Sequence, residues 1–113
     1  MYDNLLEYYR GEYEKFNGVS SFDISIKPFT LDEQIMRYGK HISFWYLKKD
    51  QLDLINPPDK KEHEIFLNME IKRSMSMIKL MLPKKARKEI LTMIVETRKI
   101  QMLFLKQMVE THF

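Results

Sequence analysis

The sequence predicts a small all-α protein. Two amphipathic helix patterns, rich in Met, fill nearly all of residues 60–113 and are interrupted only by Pro83 and a basic run. Apolar residues recur there at steps of three and four, which is the spacing of one helix face. Three Gly and four Pro in 113 residues are few for the many turns of an all-β fold. The length suits one domain, so we assign residues 1–113 to a single helical-bundle domain.

Two further helix patterns occupy the first half of the chain. The first ends at Asn17, where the following Gly18 is a typical C-terminal stop. The second begins after Thr30, because Thr30 and Glu33 have the spacing of a capping box, and it runs to about Leu47. The predicted core face of the first consists of Tyr2, Leu5, Leu6, Tyr9, Tyr13 and Phe16. The predicted core face of the second consists of Leu31, Ile35, Tyr38, Ile42 and Trp45.

The segment between these helices has a different period. Phe22, Ile24 and Ile26 alternate with polar residues, which indicates extended backbone. We therefore predict a short extended arm near residues 20–29. Because the backbone groups of a single strand need partners, the arm either lies across the bundle or pairs with the same segment of a second copy.

The third helix pattern runs from about Lys60 to Leu82, with Asp59 as a capping signal, and the fourth begins at about Lys84. The predicted core face of the third consists of Leu67, Ile71, Met75, Ile78 and Leu82. The predicted core face of the fourth consists of Ile90, Met93, Thr97, Ile100, Phe104 and Met108. Pro83 favours a break between the two, which predicts an up-down four-helix bundle. The alternative is a three-helix arrangement in which the last helix is kinked at Pro83.

The last helix carries more apolar residues than one core face requires. Residues 100–105 place apolar groups on nearly every side of it. A helix of this kind is typically buried, here either among the other three helices or against a second subunit. We therefore predict self-association, as a homodimer, and an apolar protein interface that includes Met102, Phe104 and Met108.

A basic cluster lies around the start of the same helix. It consists of Lys79, Lys84, Lys85, Arg87 and Lys88. Positive side chains oppose the positive end of the helix dipole, so the cluster is a candidate contact for an acidic protein surface, phosphates or anionic lipid. The structural alternative is a solvated corner that caps the preceding helix. Residues 1–59 hold 7 Lys and Arg against 10 Asp and Glu, whereas residues 60–113 hold 12 against 6.

No arrangement of residues indicates catalysis. The chain has no Cys, no Gly-rich phosphate loop and no Ser in a nucleophile elbow, so we predict a non-enzyme without a cofactor. Asp59, His63 and Glu70 could share one helix face, but the Glu-x-x-His pairs of helical metal sites are missing, and we predict no metal site. The aromatic run at residues 44–46 suits core packing better than base stacking, because consecutive helical residues point in different directions.

The leading functional hypothesis is a small non-enzymatic module that binds another protein. The alternative is a nucleic-acid-binding regulator that uses the basic run at residues 84–88, and the third is a helical protein that binds a metal or ligand. The first residues lack the basic and apolar regions of a secretory signal, and no stretch approaches the roughly 20 apolar residues of a membrane span. We therefore predict a cytoplasmic location and no membrane span.

Overall fold

The computed structural model describes residues 2–17 and 30–112, which form four α-helices and one short 3₁₀ helix. The helices are α1 (Tyr2–Asn17), α2 (Leu31–Asp50), the 3₁₀ helix (Leu52–Leu54), α3 (Pro57–Met81) and α4 (Lys84–His112). No strand occurs within the described ranges. The predicted all-α class and the four helices are confirmed. The predicted extended arm near residues 20–29 lies outside the described residues.

Local capping explains where α2 and α3 begin. The backbone of Thr30 is extended, and its hydroxyl oxygen accepts a hydrogen bond from the amide of Glu33 at 3.2 Å. This is the contact that the capping pattern predicts. α3 begins at Pro57 rather than at the predicted Lys60, because a proline in the first helical turn has a suitable φ and loses no internal hydrogen bond. Asp59 therefore lies inside the first turn of α3, where a carboxylate interacts favourably with the helix dipole.

α3 and α4 are two separate helices. Leu82 is extended, with φ −122° and ψ 147°, and its amide closes α3 by donating to the carbonyl of Ile78 at 3.1 Å. After Pro83 a new helix starts, in which the amide of Arg87 donates to the carbonyl of Pro83 at 3.1 Å. The alternative of one kinked helix is therefore excluded.

α2 is the central helix of the bundle. Both α3 and α4 pack against α2 far more extensively than against each other, and α1 packs against α2 and α3. Since α3 and α4 share a short link but touch little beyond it, they diverge from that link like the two arms of a V, and α2 contacts both arms.

Two apolar clusters form the core. The first joins α2 to the link and α4, and consists of Ile35, Tyr38, Ile42, Ile78, Leu82, Ala86, Ile90 and Ile94. The second joins α1, α2 and α3, and consists of Tyr9, Tyr13, Phe44, Trp45, Leu52, Phe66, Leu67 and Ile71. Tyr46 and Met75 pack against both clusters. The aromatic residues Phe44 and Trp45 are thus core residues, as predicted.

α2 and α4 approach each other closely at Gly39. A Cβ atom built at Gly39 would lie 1.6 Å from Cε of Met93 on α4. The missing side chain at this position therefore leaves the space that the Met93 side chain occupies. Close contact of this kind explains why α2 and α4 share the larger interface of the bundle.

The other helices of the described chain do not surround α4, so the first of its two predicted positions is not found, and burial against a second subunit stays a prediction. The buried side of α4 consists of Ala86, Ile90, Ile94 and Leu105. Ile100 and Phe104 are 69% and 64% exposed, so the prediction that placed them on the core face is wrong, as it is for the exposed Leu31 and Phe16. With 29 residues, α4 is about 43 Å long, and the longest dimension of the molecule is 42 Å. α4 therefore spans the whole length of the molecule, and in its C-terminal half Leu105 is buried while Leu103 and Phe104 are exposed.

Candidate functional site

The link between α3 and α4 forms a pocket with an apolar interior and a basic rim. Its volume is about 620 Å³. We call it the basic pocket, and it is lined by Met75, Ile78, Lys79, Lys84, Lys85, Arg87, Lys88, Ile90 and Leu91. All five basic residues that the sequence singled out therefore line one cavity. They meet there because the chain reverses at Pro83, which brings the end of α3 beside the first turns of α4.

A larger apolar cavity of about 1020 Å³ adjoins the basic pocket along α4. We call it the apolar groove, and it is lined by Tyr46, Met75, Leu91, Ile94, Val95, Arg98, Lys99, Met102, Leu103, Leu105, Lys106 and Glu110. The two cavities share Met75 and Leu91 in their linings, so they lie side by side along α4, and we call the two together the V groove. It exists because α3 and α4 diverge and leave this side of α4 uncovered.

The predicted interface residues Met102 and Phe104 lie on different faces of α4. Met102 lines the apolar groove. Phe104 is exposed but does not line either cavity, so it lies on a neighbouring face of α4. The side chain of Met108 lies outside the described part of the structure.

Three groove residues were missed in the sequence. Leu91, Val95 and Leu103 line the apolar groove and are 48%, 53% and 64% exposed. Leu91 and Val95 are four residues apart and one position beyond the buried pair Ile90 and Ile94, so α4 carries two adjacent apolar stripes at helical spacing. The second stripe is the sequence pattern from which the groove residues could have been predicted.

The V groove is strongly basic. Its lining includes eight basic side chains, and Glu110 is the acidic residue among the described lining residues. The basic pocket alone contains five of the basic residues. Four of them lie at the N-terminal end of α4, where the unpaired amides and the helix dipole add further positive potential, and the fifth, Lys79, lies in the last turn of α3. A negatively charged group is therefore favoured at this end of the groove.

Arg87 and Arg98 have partners within the fold. Nε of Arg87 donates to the carbonyl oxygen of Leu82 at 3.1 Å and so ties the start of α4 to the end of α3. The guanidinium of Arg98 donates to both carboxylate oxygens of Asp50, at 2.9 and 3.1 Å, and lies 4.9 Å from the centre of the Tyr46 ring. These two arginines stabilise the walls of the groove. For Arg87 this agrees with the alternative from the sequence, in which the basic residues cap the end of the preceding helix.

The lysines of the basic pocket are available to a partner. Lys84, Lys85 and Lys88 are exposed, and so is Lys79 at the end of α3. Within the described part of the chain, none of the four forms an ion pair or a side-chain hydrogen bond. Their ammonium groups are therefore open to solvent.

The residues considered for a metal site are not brought together. The hydroxyl of Tyr9 and Nδ1 of His63 form a hydrogen bond. Burial, with smaller effects of Tyr8 and Glu12, raises the pKa of Tyr9 to about 12. Glu70 is buried beside Arg73, and Asp59 is exposed. Among the described residues, no group of three His, Asp or Glu side chains is close enough to hold a metal ion.

A buried histidine, His41, lies among aromatic side chains of α1 and α2, away from the groove. Nε2 of His41 accepts a hydrogen bond from Nε1 of Trp45 at 3.2 Å, and the rings of His41 and Tyr13 are 5.2 Å apart. Burial, with a smaller effect of the positive charge of Arg73, lowers the pKa of His41 to about 4. The neutral imidazole is thus a packed member of the core.

No protein-family model, curated protein or solved structure matches this chain. Over the described ranges, none of the helices combines the length and the apolar character that crossing a bilayer requires.

Proposed function

We propose that this protein is a small, non-enzymatic interaction module that binds another protein in the V groove. The observation that carries the proposal is an exposed apolar stripe on α4 that lies beside a basic pocket at the start of the same helix. Exposed apolar surface in a concave site is typical of protein-binding surfaces, and nearby lysines add specificity and faster association.

Nucleic-acid binding by the basic pocket is the second candidate. The four lysines without partners in the described chain favour it, because lysine is a common phosphate contact. The apolar groove has no role in phosphate binding, so we rank this candidate second. It predicts that the logarithm of the binding constant falls with the logarithm of salt concentration, with a slope of about −0.9 for each phosphate contacted on duplex DNA.

Self-association belongs to the same proposal, since a second copy could cover the exposed face of α4. α4 contains seven basic and three acidic residues, so two α4 helices side by side would repel each other. Added salt screens this repulsion. A homodimer through α4 would therefore tighten with salt, which sedimentation equilibrium at two salt concentrations measures.

The test of the proposal is capture of proteins from cells of the source organism, with and without nuclease, by the immobilised full chain and two variants. Leu103→Glu places a charge in the apolar groove, at a residue that is 64% exposed. Leu54→Glu makes the same change at a residue that is 56% exposed in the 3₁₀ helix, outside the groove. Circular dichroism checks that both variants remain folded.

We expect a protein that the wild-type chain and Leu54→Glu capture in stoichiometric amounts and that Leu103→Glu does not capture. Equal capture of the same proteins by all three would contradict the proposal. Capture that disappears after nuclease treatment and does not depend on Leu103 would favour nucleic-acid binding instead.

A further inference from the structure

We infer that the V groove is built for an acidic amphipathic helix, which lies antiparallel to α4 with its acidic C-terminal end over the basic pocket. This inference rests on the proposed function and specifies the chemistry of the partner. It follows from the shape of the groove, the sign of its charge and the unequal distribution of that charge along α4.

The dimensions of the apolar groove fit a helix of about three turns. Its exposed apolar residues run from Leu91 to Leu103 on one helix, a distance of roughly 18 Å at 1.5 Å per residue. Met75 and Tyr46 supply apolar surface from α3 and α2, on the other side. A partner helix with apolar residues at i, i+3 or i+4 and i+7 would present one stripe of matching length to this surface.

The charge of the groove selects an acidic partner over a second copy of this chain. Eight basic side chains and one acidic side chain line it within the described residues. The exposed face of α4 from another copy would bring like charge to it. α1 is the more acidic helix, but its apolar face, which includes Tyr9 and Tyr13, is buried within its own chain. An acidic helix of a different protein is the better electrostatic match.

The direction of the partner helix follows from where the positive charge lies. Five basic residues surround the basic pocket, whereas Lys106 lies near Glu110 in sequence at the far end of the groove. The C-terminal end of a helix carries partial negative charge, so it is favoured beside the basic pocket and the N-terminal end of α4. The partner would therefore run in the direction of α3 and opposite to α4.

The probes are three synthetic 18-residue helical peptides with the same apolar stripe. The first has four Glu residues in its last two turns, the second has the same four in its first two turns, and the third has Lys in place of the Glu residues of the first. The readout is the NMR spectrum of the full chain with ¹³C-labelled Met methyl groups. Met75 and Met102 line the groove, whereas Met36 and Met69 are exposed on other surfaces and serve as internal controls.

We expect the first peptide to shift the methyl signals of Met75 and Met102 and to leave those of Met36 and Met69 unchanged. Fluorescence anisotropy should show that it binds roughly fivefold more tightly than the second peptide, from the helix-dipole effect, and that the third peptide does not bind. Equal affinity of the first two peptides, or tighter binding of the second, would overturn the assigned direction. Binding of the third peptide as tight as that of the first would overturn the assigned charge.

A matched pair of variants tests the role of the basic pocket. One carries Lys84→Glu, Lys85→Glu and Lys88→Glu and keeps Arg87, which has a structural bond to Leu82. Its control carries the same three changes at exposed lysines elsewhere, at positions 40, 61 and 72. We expect roughly tenfold or greater loss of affinity for the first peptide in the pocket variant, and a smaller loss in the control. Equal losses would show that only net charge matters and would overturn the assigned site.

Failure of this inference is distinguishable from failure of the proposed function. If none of the peptides binds while capture of a cellular protein still depends on Leu103, the partner is not an acidic helix, and the interaction module stands. If vesicles of phosphatidylglycerol and phosphatidylcholine shift Met75 and Met102 and the peptides do not, the groove contacts lipid and the inference is overturned.

Discussion

The buried imidazole of His41 makes the stability of this fold depend on pH. Its Nε2 accepts a hydrogen bond from Trp45, and the surrounding aromatic cluster excludes water from the ring. Burial, together with the smaller effect of Arg73, lowers its pKa from 6.5 to about 4. The imidazole of the folded protein therefore stays neutral in a pH range where the same group in the unfolded chain takes up a proton.

The sign and the size of the effect follow from this difference. Below pH 6.5 protonation stabilises the unfolded chain, so the free energy of unfolding decreases as the pH falls from 6.5 to about 4 and then levels off. At 1.36 kcal/mol per pH unit, the loss caused by His41 is about 2 kcal/mol between pH 7 and pH 5, and about 3 kcal/mol by pH 4. Above pH 6.5 both states hold a neutral imidazole, and the contribution of His41 to the pH dependence disappears.

Urea unfolding at pH 7, 5 and 4, followed by circular dichroism, measures this effect in the wild type and in His41→Gln. Glutamine does not titrate, and its amide oxygen replaces the hydrogen-bond acceptor of Trp45. The other ionisable groups are the same in both proteins, so the difference between their pH dependences reports on His41. We expect the variant to be less stable at pH 7 and its deficit to shrink by about 2 kcal/mol at pH 5. The same pH dependence in both proteins, or an NMR titration of the His41 ring centred near pH 6.5, would refute the reasoning.

Two further predictions concern the helices that hold the groove. Gly11→Ala should stabilise the protein by up to about 1 kcal/mol through helix propensity, because among the described residues no atom outside the local helix backbone lies within 4 Å of the new Cβ. Gly39→Ala has the same propensity gain but displaces Met93, so its urea midpoint should rise less than that of Gly11→Ala, or fall. Equal urea midpoints of the two variants would contradict the importance of the contact between Gly39 and Met93. Arg98→Ala removes the double contact to Asp50 and should lower the free energy of unfolding by about 1 kcal/mol, with Arg98→Lys intermediate. An unchanged urea midpoint of Arg98→Ala would show that this contact does not stabilise the packing of α4 on α2.

Most of the secondary structure could be predicted because helix signals are local. The Thr30 cap, the end of α3 before Pro83 and the core positions of Ile35 and Ile90 all follow from side chains within a few residues of each other. α3 begins three residues before the predicted Lys60, because a proline can end one helix or stand in the first turn of the next. Pro57 permits both interpretations locally.

The candidate site could be predicted only in part. The basic residues 79–88 are close in sequence, and a turn at Pro83 is enough to bring them together. The apolar part could not be assigned in this way, because Ile94 and Val95 look alike in the sequence, although one is buried and the other exposed. Which stripe of α4 is covered depends on the position of α2, and that position involves the space at Gly39.

The all-α class and the basic cluster follow from the sequence alone, which also favours four helices over three, since these features depend on propensity, capping and charge within a few turns. The tertiary structure decided that α2 and not α4 is central, that α3 and α4 diverge, and that one apolar stripe of α4 is left uncovered beside five basic residues. The physical reason is that the burial of an apolar side chain depends on what packs against it. These packing contacts join residues that are distant in sequence, so the periodicity of a single helix does not reveal them.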